Sequence, residues 1–170
     1  QDVNYDLQAY LKASSQILSH FHLLPLANPE SFEGTIRQII SQMSQVNDPS
    51  YLVEKLLSRF ETSPMAIPNT GLVLLHTQSS KVTTSSFTIF ELRQSVTALS
   101  MKRERERVSR CLLMLTAADA SEEMRDLMTT ISQSIIENHL YTEIYKTGNQ
   151  TIIYQLLNTI FNEKIKKLEN

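Results

Sequence analysis

Three strand-length apolar runs lie in the middle of the chain with helix-patterned segments on both sides, and this order does most to limit the fold. The runs are G-L-V-L-L-H-T at 71–77, S-F-T-I-F-E-L at 86–92 and V-S-R-C-L-L-M-L-T at 108–116. Each is continuous, or rich in β-branched and aromatic residues, over the length of a strand covered on both faces. Central strands are expected there, with His22 to Leu26 as a further short apolar run. Between the last two runs, M-K-R-E-R-E-R alternates in charge and reads as an exposed turn and strand edge.

Elsewhere the apolar residues return at helical spacing. Leu7, Tyr10, Leu11, Ile17 and Leu18 predict a helix over 5–20, and Phe32, Ile36, Ile39, Ile40 and Met43 predict a second. Leu52, Val53, Leu56, Leu57 and Phe60 predict a third, ending near Arg59 to Thr62. Asn28-Pro29 and Asp48-Pro49 read as starts, each a capping side chain followed by a proline in the first helical position. Two more helices are expected at Ser121 to Leu140 and Gln150 to Leu168. Helices on both sides of a strand block predict an α/β fold, one sheet covered by helices.

At 170 residues the chain fits one domain, able to bury roughly 70% of its unfolded surface. Its net charge of −2 and pI near 6.1 supply no broad positive field, so direct nucleic-acid binding by this domain is not expected. No run approaches the roughly 18 apolar residues of a membrane span, and the start Q-D-V-N-Y-D has no signal-peptide pattern. The lone Cys111 cannot form an internal disulfide, and a cytoplasmic protein without membrane insertion is expected. Opening on Gln1 rather than Met predicts a piece of a longer polypeptide or a removed tag. Gly34, Gly71 and Gly148 stand too far apart for a phosphate-cradling loop, so no nucleotide cofactor is expected.

Four histidines could carry chemistry. His20 and His22 have no accompanying cysteine or carboxylate cluster, which argues against a metal site. His139 reads as closing a helix, where a positive group suits the dipole. His76 differs: it stands at the carboxyl end of the most apolar run, where α/β sheets collect ligands, with Thr77, Gln78, Ser79 and Ser80 as nearby donors. The residues alone leave a packed structural histidine and a reactive one both open. Cys111 lies in an apolar run and reads as core. Ser79-Ser80 and Ser85-Ser86 lack the glycine elbow of a serine hydrolase.

Order and spacing together add a family. L-L-S-R-F around Arg59, a loop, then G-L-V-L-L-H ending at His76, followed by F-T-I-F-E-L, C-L-L-M-L-T and the 121–136 helix, run in a set order. From roughly Phe32 to Phe161 this resembles the type-2 (mannitol/fructose-class) IIA domains of the bacterial sugar phosphotransferase system. The resemblance implies a mixed, mostly parallel central sheet flanked by helices on both faces, with an extra N-terminal helix. It implies His76 as phosphoacceptor and Arg59 as the cation that stabilises the phosphate, with a phosphorylated HPr-type phosphocarrier as donor and a IIB domain as recipient. Neither a cofactor nor a metal is implied.

This chain departs from the pattern in three places. Leu75 replaces the proline before the reactive histidine, Phe60 replaces a glutamate, and Met124 aligns with a second active-site histidine. I-P-N-T-G-L-V-L-L-H-T-Q-S, C-L-L-M-L-T and I-S-Q-S-I-I-E-N are similar to the C-terminal IIA-like domain of the mannitol operon transcriptional activators of Gram-positive bacteria. That family implies upstream helix-turn-helix, duplicated regulatory (PRD) and IIB-like modules, and a division into a leading segment, 1–26, and a IIA-like domain, 27–170. Two roles follow from the resemblance: a regulatory phosphoacceptor domain answering to those modules, or a phosphocarrier that relays phosphate to a IIB domain. Loss of the second imidazole suits a sensor better than a carrier.

Overall fold

The computed structural model describes residues 2–27 and 30–169, and the strand runs form one four-stranded sheet between two helical layers. In chain order the elements are α1 (Asp2–His20), β1 (His22–Leu26), α2 (Phe32–Ser41), α3 (Pro49–Thr62) and β2 (Leu72–Ser79). Then come β3 (Ser86–Leu99), β4 (Arg105–Ala117), α4 (Glu122–Glu137), α5 (His139–Tyr145) and α6 (Gln150–Leu168). The strand order is β1-β3-β4-β2, with β1/β3 and β2/β4 parallel and β3/β4 antiparallel. The sheet is mixed and mostly parallel, as the resemblance implied.

Alternation along the strands divides the core. Val73, Leu75, Cys111, Leu113 and Leu115 face α2 and α3; Leu72, Leu74, Leu112 and Met114 face the layer of α1, α4, α5 and α6. The leading helix is built into that second layer through Ala13 and Ile17, and the Tyr10 hydroxyl donates to Asp126 of α4. Ser31 caps α2 by accepting from the Gly34 N–H, and Asp48 caps α3 ahead of Pro49. The start expected at Asn28 and Pro29 lies outside the described residues.

Expectations for two elements need correction. The 71–77 run is not a central strand: β2 is an edge, and its apolar sequence reflects two faces covered by helices rather than two strand neighbours. It also runs on to Ser79, because Thr77, Gln78 and Ser79 stay in register with Leu115, Thr116 and Ala117 of β4. His76 is therefore inside the strand. The 121–140 helix breaks at Asn138, whose side chain accepts from the Tyr141 N–H and starts α5. His139 thus opens a helix instead of closing one. The charged run at 102–107 is the tip of the β3–β4 hairpin and the start of β4, with Arg103 in the left-handed region at φ 60°.

Candidate functional site

Gly71 opens β2 with φ +76°, and a Cβ there would meet Ser109 Oγ at 3.0 Å. Its carbonyl accepts from the N–H groups of Ser109 and Arg110, which fixes where β2 starts against β4. That register sets His76 opposite Met114, on the same side of the strand as Leu72 and Leu74. Because β2 is an edge with α3 over one face and α4 over the other, a cavity of about 180 Å³ wraps around it. His76 and Leu74 line its β2 wall; Arg59, Phe60 and Ser63 form the α3 wall; Ser132 and Ile136 form the α4 wall.

The imidazole is largely withdrawn from water. Burial first, and the nearby Arg59 guanidinium second, lower its pKa from 6.5 to about 4. Both act in one direction, since each penalises the charged ring. At neutral pH His76 is therefore an uncharged imidazole with a free lone pair. Nε2 lies 3.4 Å from Thr116 Oγ1, a long contact that still ties the ring to β4. Arg59 comes from the last turn of α3, is exposed, and takes part in none of the ion pairs among the described residues. A neutral nucleophile and an unengaged planar cation share one small cavity.

The structure thus brings together Arg59 and His76, the two residues singled out for phosphate chemistry. It does not bring the expected helpers. Thr77 points to the opposite face, fully buried, its hydroxyl without a partner among the described residues. Gln78 donates to the carbonyl oxygens of Ala117 and Ala118, and Ser79 accepts from the Lys81 N–H. Met124 lines a different cavity, with Lys12 and Gln16 of α1. It lies two helical turns, about 12 Å, from Ser132, the α4 residue that does reach the site. His20, His22 and His139 are exposed and outside the cavity. Cys111 is buried, and burial pushes its thiol up to about 12, where it is inert.

Ser63, Thr116 and Ser132 were missed by sequence reasoning. Ser63 and Thr116 carry no local signal. Ser132 does: Met128, Ser132 and Ile136 follow at i, i+4, i+8, so one hydroxyl interrupts an otherwise apolar row of α4.

A four-stranded sheet in this order, with a histidine on its edge strand facing a helix-borne arginine, has the form of a phosphotransferase-type IIA domain. Residues 26–160 match the family described as "Phosphoenolpyruvate-dependent sugar phosphotransferase system, EIIA 2", and the chain belongs to that family. Over 165 residues, 97% of its length, it is 60% identical to the "Putative transcriptional regulator MtlR" of Streptococcus mutans serotype c. The match spans 25% of that relative. The crystal structure of the nitrogen regulatory protein IIA-Ntr from Neisseria meningitidis shares the fold, with a TM-score of 0.62 at 15% identity. That likeness covers 82% of this chain and 94% of the other. No helix among the described residues is long and apolar enough to cross a membrane.

Proposed function

We propose that this chain is the regulatory phosphoacceptor domain of a phosphotransferase-controlled transcriptional regulator of mannitol utilisation, carrying phosphate on His76 in the cytoplasm. The observation that carries the reading is the neutral imidazole held in one cavity with the unengaged Arg59 guanidinium. The donor is a phosphorylated HPr-type phosphocarrier. The lone pair of a His76 ring nitrogen forms the new N–P bond, and the electron pair of the breaking P–N bond stays on the donor's imidazole. The proton released from the other His76 ring nitrogen balances the one the donor's ring takes up. No further reactant is consumed. Arg59 donates its planar N–H groups to the phosphoryl oxygens, stabilising charge without changing protonation.

Two observations support a regulator over a carrier. The 60%-identical relative is named as a transcriptional regulator. Among the described residues, His76 is the one histidine that lines the cavity, so no second imidazole stands ready to help the phosphate leave. The phosphate adds about −1.5 to −2 charges beside Arg59. The leading segment, 1–26, whose α1 and β1 pack into the body, is on this reading the connection to upstream modules of the same chain.

The test is phosphorylation from phosphoenolpyruvate through the general phosphotransferase proteins, read as acid-labile phosphate by intact mass, with a mannitol IIB domain added afterwards. Labelling that requires His76 and stays put supports the regulatory acceptor. Rapid transfer to the IIB domain makes the chain a carrier, and no labelling at all leaves a binding surface.

A further inference from the structure

Ser132 is the one polar side chain that α4 contributes to the His76 cavity. The same helix turns Met124, Leu127, Met128, Ile131 and Ile135 into the core, so packing alone would accept an apolar residue at 132. The present acceptors of its hydroxyl are poor: the Met128 carbonyl oxygen at 3.3 Å and the Met114 sulfur at 3.5 Å. Met114 stands opposite His76 in the β2–β4 register, and paired strands lie about 4.8 Å apart. A hydroxyl resting on that sulfur therefore stands over the strand pair that carries the imidazole. Arg59 and Ser63 occupy the α3 wall of the same cavity.

We propose that Ser132 is a phosphoryl ligand: its hydroxyl donates to a phosphoryl oxygen on His76 from the α4 wall, while Arg59 donates from the α3 wall. This rests on the reading of His76 as the acceptor. Trading a thioether and a helical carbonyl for a charged oxygen strengthens the hydrogen bond, so the exchange is favourable once phosphate arrives. Ser132 keeps its proton and forms no bond to phosphorus; the N–P bond is made at His76 as before. A hydroxyl does not protonate a departing group at neutral pH as an imidazolium can. Ser132 thus holds the phosphate without promoting its exit, which suits a mark that is read in place.

The experiment compares the 170-residue chain with its Ser132→Ala and Ser132→Thr variants. The donors are phosphoramidate, which needs no docking surface, and a phosphorylated HPr-type carrier. The readouts are the rate of mass gain and the 31P resonance of the phosphohistidine. Ser132→Ala is expected to label about tenfold more slowly from both donors and to shift the resonance, and Ser132→Thr, which keeps the hydroxyl, to stay within about threefold of wild type. A Ser132→Ala variant that labels like wild type overturns the inference, and so does a Ser132→Thr variant as slow as Ser132→Ala, which would mean packing. A wild type that takes phosphate from neither donor removes the acceptor reading itself. That result is distinct from one in which wild type labels and the serine proves irrelevant.

Discussion

Two of the cavities beside α4 differ in a way that runs against their size. The larger, about 490 Å³, lies between α1 and the start of α4 and is lined by Lys12, Asp119 and Glu123 among others, Lys12 and Asp119 being exposed. The smaller, about 180 Å³, is walled mainly by apolar side chains and holds the imidazole of His76 beside Arg59. Charges that stay in contact with water keep their hydration and interact weakly. Withdrawing a single ring from water changes its protonation and so its chemistry. Desolvation, not volume, marks the site.

The contrast can be broken most sharply at His76 itself. His76→Ala is expected to abolish acid-labile labelling, whereas Lys12→Ala, in the larger cavity, is expected to leave the rate within about twofold of wild type. Labelling that survives the first or collapses with the second would reverse the assignment. Next in size is Arg59→Ala, expected to slow phosphate uptake about a hundredfold, as loss of one preorganised donor does elsewhere. Arg59→Lys should recover only part, because a point charge replaces a bidentate fork.

The pH response sharpens the comparison further. His76 protonates near 4 in the folded chain against an ordinary histidine value of 6.5. The unfolded state therefore binds more protons between those values, so stability rises with pH through this window and is lost as pH falls through it. The loss is on the order of 3 kcal/mol, complete below about pH 4. NMR titration should find the ring neutral at pH 6, and Arg59→Ala should move its pKa upward by removing the smaller of the two causes. A ring that titrates at its ordinary value would mean that the cavity is wet. The smallest effect belongs to the other side of α4. Tyr10→Phe removes the hydrogen bond to Asp126 and should cost about 1 kcal/mol in denaturant melts, with no change in labelling.

Much of the architecture was legible in the residues. The change from helical spacing to continuous runs placed β2, β3 and β4, and Asp48-Pro49 placed the start of α3. Strand order was not legible, because β2 carries four buried residues in succession although it is an edge. Such a run reports how many faces are covered and says nothing of neighbours in the hydrogen-bonding direction. The helix break at Asn138 was hidden for a related reason: Ile135, Ile136 and Leu140 continue an apolar spacing that a capping asparagine overrides. At the site, Arg59 and His76 were legible through order along the chain. Ser132 stood out as a hydroxyl in an apolar row of α4, but its relation to His76 did not, since it passes through Met114 of β4, 18 residues away in sequence. Local pattern has no access to such a relation.

The three walls of the His76 cavity come from α3, β2 and α4, the last reaching it through Ser132 and Ile136. During synthesis a chain emerges at about 5–20 residues per second, so for several seconds His76 is outside the ribosome while its α4 wall is still unmade. A nascent or prematurely ended chain that lacks α4 presents an open, hydrated histidine and not the finished pocket. On the phosphoacceptor reading such a chain lacks the α4 hydroxyl and takes phosphate more slowly than the finished domain, so the mark favours completed protein.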